Sequence, residues 1–202
     1  MKALTLCSAL LLTTTFMYAQ QSTPSDQDSS ATMQSDHHAH GGMTEGKGNN
    51  ARDKSFLKKA SEGNNAEIEA GRLAASKGNS AEVKNFGQKM VDDHTTLGEK
   101  MKPFLDKYKV ETTGKMNDDQ QKMMAELQAA SGDDFDKKFI AAMVKDHHKD
   151  YRMFMMEFRT TGDADLRTAA KEASDVIKEH RDTIDGIAKS RGMEVPKNKK
   201  IM

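Results

Sequence analysis

Four stretches of this 202-residue chain carry apolar residues at the 3–4 residue spacing of one buried helix face, and one ionisable residue breaks each stripe near its middle. The first stripe is Phe56, Ala60, Gly63, Glu67, Gly71 and Ala74. The second runs Val83, Phe86, Met90, His94, Leu97, Met101 and Leu105. Phe139, Ile140, Val144, His147, Tyr151, Phe154 and Phe158 make the third. Leu166, Ala170, Ala173, Ile177, His180, Ile184 and Ile187 make the fourth. Four amphipathic helices of this length can bury their stripes most economically against one another, as a four-helix bundle. Glu67, His94, His147 and His180 then point into a core, where an unpartnered carboxylate or imidazole costs several kcal/mol, of the order of 2–7.

Local signals set the helix boundaries. The spacing predicts a first helix over 54–77, capped by Asp53 or Ser55 and stopped at Gly78, and a second from Ala81 after Ser80. Pro103 is expected to kink or shorten that second helix near Lys102. Ser131-Gly132-Asp133 opens the third long helix, and Thr161-Gly162-Asp163 opens the fourth, which ends near Gly192. Short links at Gly78-Asn79 and Thr161-Gly162 make antiparallel hairpins. The passage 109–130, with a short helix over 117–130, is long enough to cross the bundle and set the second and third long helices parallel. On these boundaries the four ionisable residues lie within roughly 5 Å of their helix centres along the axis.

A small echo surrounds two of them. Met90-Val91-Asp92-Asp93-His94 and Met143-Val144-Lys145-Asp146-His147 share Met-Val-x-Asp-His, and Glu179 precedes His180. An acid one residue away does not share its neighbour's face, so Asp93, Asp146 and Glu179 read as solvated charges or rim groups, not ligands. His148 competes with His147 for the core position if the helix is slightly rotated.

The ends read differently. Residues 1–19 have the pattern of a secretory signal, with Lys2 ahead of the apolar run Ala3–Phe16, too short for a membrane span. Its removal leaves 30 basic against 31 acidic residues, near neutrality, which argues against nucleic-acid and anionic-lipid partners. The only cysteine, Cys7, lies in this segment, so thiolate metal sites, disulfides and cysteine nucleophiles are excluded from the remainder. Residues 20–52 are polar and read as a disordered leader. Within it, Asp36-His37-His38-Ala39-His40-Gly41-Gly42-Met43 is either a loose site for copper, nickel or zinc, or a histidine-rich linker. Residues 193–202 form a basic tail. The expected product is exported, periplasmic or extracellular, without membrane insertion.

From about Lys54 to Lys189 the chain resembles an exported bacterial family known only as a domain of unknown function, DUF4142. The resemblance rests on Phe56, Ala60 and Glu67-Ile68, on Met90-Val91-x-Asp93-His94, on Ser131-Gly132-x-x-Phe135-Asp136, and on His147 and His180. It implies a ferritin-like helical bundle and brings no activity, substrate or cofactor with it. Di-metal bundles of that fold take a Glu from each of two helices and Glu-x-x-His from the others. Here Val91 and Ile177 stand three residues before His94 and His180, and His147 replaces a carboxylate. One Glu and three His cannot balance two ferric ions.

That set suits a single divalent ion: zinc, copper, iron or manganese. A metal-free Glu–His hydrogen-bond network would also satisfy these groups. Three functions follow: metal buffering or stress tolerance, a metal-dependent oxidoreductase, or a metal-free structural or interaction protein of the cell envelope. No Ser-His-Asp arrangement, phosphate loop or paired-carboxylate motif points to a hydrolase or nucleotide enzyme.

Overall fold

The computed structural model describes residues 47–197, all of whose regular elements are helices. The signal, most of the leader with its histidine tract, and residues 198–202 lie outside the described residues. The elements are α1 (Lys47–Lys77), α2 (Ala81–Tyr108), α3 (Asp118–Ala129), α4 (Gly132–Thr160) and α5 (Ala164–Ser190). Helix α1 packs on α2 and α4, and α5 packs on α4 and α2, so the four long helices make a square with α3 laid against α1 and α4.

Contacts at the two ends give the directions. At what we call the lower end, the Tyr108 hydroxyl closing α2 donates to Asp53 near the start of α1 and to Asp163 at the start of α5. The Thr161 hydroxyl, just past α4, donates to the same Asp53. At the upper end Asp136, near the start of α4, accepts the backbone N–H groups of Asn79 and Ser80 in the α1–α2 turn, at 2.8 and 2.9 Å. Helices α2 and α4 are therefore parallel, and the connection between them climbs the whole bundle. Gln120 of α3 reaches the Glu62 carbonyl and Lys77 reaches the Gln128 carbonyl as it climbs. This is the all-α, ferritin-like bundle with one long crossover that the stripes imply.

The caps explain most boundaries. Ser80 and Asp163 accept N–H groups of the first turns of α2 and α5. Asn117 and Gln120 form a reciprocal capping box on α3. Two expectations change. Helix α1 begins at Lys47, not Lys54, and Asp53 is no cap: it is buried inside the helix, held by Tyr108 and Thr161. Helix α2 also runs through Pro103 to Tyr108. Pro103 and Glu99 are both exposed, so the carbonyl that loses its donor can turn to water.

Small residues bring α1 and α2 together at their upper halves. A Cβ at Gly87 would stand 2.7 Å from the Ala74 Cβ and from the Gly71 carbonyl oxygen. Lower down, at Gly98, the only atoms of α1 within 4 Å of such a Cβ belong to the Asn64 side chain. The two helices thus diverge downward from a tight upper crossing.

The core falls into two parts along the axis. Phe86, Met90, Phe135, Phe139, Ile140, Met143 and Ile184 fill the upper part; Phe56, Leu57, Leu97, Phe154, Leu166 and Ile177 fill the lower. Burying a side chain of this size contributes roughly 1.5–3 kcal/mol. Between the two parts lies a polar layer.

Candidate metal centre

Glu67 from α1, His94 from α2, His147 from α4 and His180 from α5 form that layer, none more than 5% exposed. The three imidazoles face one another with ring centroids 5.9 Å (His94–His147), 5.2 Å (His94–His180) and 5.5 Å (His147–His180) apart. Phe86 closes the layer from above, 5.9 Å from the His147 ring and 5.8 Å from the His180 ring. One nitrogen of each histidine lies within 4.8 Å of the corresponding nitrogens of the other two.

Each ring is anchored by one nitrogen and open at the other. His94 Nδ1 donates to Asn64 Oδ1 at 3.0 Å, and His147 Nδ1 donates to the Met143 carbonyl at 2.9 Å. His180 Nε2 donates to Asp93 Oδ2 at 2.7 Å. The remaining nitrogens, His94 Nε2, His147 Nε2 and His180 Nδ1, are fully buried and have no hydrogen-bond partner. A carbonyl or carboxylate acceptor holds the proton on the anchored nitrogen, so the open one carries a lone pair. Metal-binding histidines are held in this way, through an outer N–H whose acceptor fixes tautomer and ring orientation.

Electrostatics keep the rings neutral. Burial pushes all three imidazoles below their ordinary range, with charge on neighbouring histidines opposing protonation of His94 and His147. His147 is pushed down to about 3. At His180 the Asp93 carboxylate works against the burial effect. Burial pulls Asp93 upward, but hydrogen bonds from Lys89 and His180 outweigh it and hold the carboxyl below its usual range. Three neutral imidazoles are the protonation state a metal requires.

All four residues expected from the sequence meet in this layer, but Glu67 differs from the others. Its carboxyl oxygens lie 3.4 Å from His94 Nδ1 and 3.6 Å from His147 Nδ1, the nitrogens already used by Asn64 and Met143. It stands behind the His94 and His147 rings and outside the three-histidine group. Burial, then the nearby carboxyls of Asp150 and Asp146, push Glu67 well above the usual carboxylate range, and Oε1 has no partner.

The neighbouring acids separate as well. Asp93 supports His180, so it is a rim group and no mere surface charge. Exposed Glu179 holds Lys89 at 3.2 Å, and Lys89 in turn holds Asp93 at 2.9 Å. Asp146 touches none of the three rings through a hydrogen bond, and burial raises its carboxyl. His148 does not replace His147: its Nε2 bonds Asp185 on α5 at 2.9–3.0 Å.

Asn64 escaped the sequence reading altogether. Its one signal is its place a turn before Glu67, next to Gly63 of the first stripe. Phe86 was assigned to the stripe, but its role as the lid over two imidazoles depends on packing between helices.

An all-α ferritin-like bundle with a buried three-histidine cluster is thus the class this chain defines. The family model described as domain of unknown function (DUF4142) matches residues 30–187, and the chain belongs to that family. No curated protein matches it. Two solved structures share the fold. A DUF305 fragment from Deinococcus radiodurans is 10% identical, covering 69% of this chain and 96% of that one with a TM-score of 0.60. A DUF305 protein from Streptomyces coelicolor, described as a presumed secreted protein, is 12% identical, covering 73% and 98% with a TM-score of 0.61. At such identities the likeness concerns the fold alone.

Proposed function

We propose that this protein binds one divalent transition-metal ion at the centre of its bundle, through His94 Nε2, His147 Nε2 and His180 Nδ1. The observation that carries the reading is the set of three buried, neutral imidazoles, each with one nitrogen anchored and the other unpartnered. Left empty, those atoms cost roughly 1–3 kcal/mol each. Four-coordinate zinc at about 2.0–2.1 Å needs ligand nitrogens roughly 3.3 Å apart. One nitrogen of each ring already lies within 4.8 Å of one on each of the other two, so modest ring movements reach that value.

Three imidazoles favour zinc or copper over manganese and magnesium, which prefer oxygen donors. Asp93, ionised against the outer nitrogen of His180, is placed to balance part of the charge of the ion. The site is deep and its ligands come from three helices, which suits retention of metal: buffering or stress tolerance in an exported protein. The secretory pattern of residues 1–19 supports export. Only three protein ligands are present, so one position stays open for water, which also supports a second reading as a metal-dependent oxidoreductase.

Elemental analysis and a thermal-shift metal panel test the proposal, using the secreted chain with His37, His38 and His40 replaced by alanine to silence the tract. One ion per chain, lost in His94→Ala, His147→Ala and His180→Ala, is the expected result. A protein indifferent to every metal would refute it. Turnover of peroxide or superoxide by the loaded protein would favour the oxidoreductase reading.

A further inference from the structure

Below the histidine layer, where α1 and α2 diverge, a cavity of about 380 Å³ opens between them and is overlaid by Val110 and Thr112 of the crossover passage. Its walls are apolar: Leu97, Met101 and Leu105 of α2, Phe154 of α4 and Ile177 of α5. Its inner end is not. Glu67, Asn64, His94 and Asp150 line it there, and Glu67 is 5% exposed with Oε1 lacking any partner. The size is within the range of small-molecule sites, which combine apolar walls with a few placed polar groups.

The polar end has a definite chemistry. It presents two carboxyl groups, an amide and an imidazole, and no cationic side chain. Lys102, the cation in the lining, is engaged by Asp106 at 3.1 Å on the exposed face of α2. We propose that this cavity is a binding site for a small organic cation, an apolar alkyl or aryl body bearing a primary ammonium head. The body fills the space between Leu97, Met101 and Phe154, and the head donates to the carboxyls of Glu67 and Asp150.

A single ammonium placed between two carboxyls supplies the missing donor and relieves their mutual repulsion. Neither a carboxylate nor a phosphate could occupy this end without facing those acids. An alcohol of the same length would fit the walls but give up the charge-assisted hydrogen bonds, which are roughly twice as strong as neutral ones.

The site is distinct from the three metal-binding nitrogens, so it can be tested on chelator-treated, metal-free protein. Titration of the full chain with n-hexylamine, n-hexanol and hexanoate at neutral pH, followed by amide NMR and thermal shift, reads it directly. The amine is expected to saturate the site at least about tenfold more tightly than the alcohol, with hexanoate not binding. Shifts should centre on Asn64, Leu97 and Asp150. Leu97→Trp, which fills the cavity, should abolish binding, and half-buried Asp150→Asn, chosen because it leaves the core packing intact, should weaken the amine about tenfold without affecting the alcohol. Equal affinity for amine and alcohol, preference for hexanoate, or an Asp150→Asn protein that binds hexylamine normally would overturn the proposal. Because no metal is present, a failure here leaves the histidine centre untouched, and a failure of the histidine centre leaves this site untouched.

Discussion

The polar groups at the upper end of the bundle and those at its middle are equally buried but differently satisfied. At the upper end Asp136, fully enclosed, accepts two backbone N–H groups and the Arg191 guanidinium at 3.2 Å. In the middle, three histidines each use one nitrogen and leave the other bare. The contrast recurs between adjacent residues of α4. His148 has Asp185 opposite it, whereas His147 has a carbonyl behind it and an unpartnered nitrogen in front. Buried polar groups with complete partners hold helices in register. Those left open in a convergent set support the proposed metal site.

The largest effect should come from breaking the satisfied end. Asp136→Ala removes the acceptor for three donors and is expected to cost roughly 3 kcal/mol of stability, whether or not metal is added, as read by urea denaturation. A negligible loss would break the contrast between a fully partnered upper end and a partly open middle. Next in size is the support of the open middle. Asp93→Asn and Asn64→Ala should leave the fold intact but weaken metal affinity about 10–100-fold, measured by chelator competition.

The lower end adds a pH dependence. Glu157, buried beside Asp53, is raised to about 7, first by burial and then by the hydrogen bond and charge of Asp53. The folded state therefore holds a proton that the unfolded chain releases near its ordinary value of about 4.5. Stability contributed by this group is present below that lower value and is lost as pH rises towards 7, a decline on the order of 1–2 kcal/mol. Melting temperatures of the metal-free protein across pH 4.5–7.5 should show a component of that sign, missing in Glu157→Gln.

The smallest effect is the most diagnostic. In metal-free protein His147→Leu should change stability by no more than about 1 kcal/mol, because it removes an unsatisfied nitrogen along with a hydrogen bond. The same substitution should abolish stabilisation by metal, worth about 2.7 kcal/mol at a hundredfold excess over Kd. A severe loss of stability without metal would mark His147 as a structural residue.

Much of this arrangement can be read from one-dimensional spacing. Helix periodicity placed Glu67, His94, His147 and His180 on inward faces, and Gly78, Ser80 and Asp163 marked the chain reversals, because those signals act over a few residues. What depends on distant partners was not legible. The extension of α1 back to Lys47 carries Arg52 to Glu157 and Asp53 to Tyr108 and Thr161, all far along the chain. Choosing His147 over His148 requires the rotation of α4 about its axis, and only the packed helices set it. Glu67 was legible as a member of the layer, but its place behind the rings follows from Asn64 and Met143 occupying the same nitrogens.

X-ray absorption at the zinc edge, on the zinc-loaded chain with His37, His38 and His40 replaced, reads the ligands of the proposed centre. One zinc with three imidazole nitrogens at about 2.0–2.1 Å and one light oxygen neighbour is expected, the imidazole signal falling when His94, His147 or His180 is replaced. A zinc bound by carboxylates and water alone, or an imidazole signal unchanged by those substitutions, would contradict it.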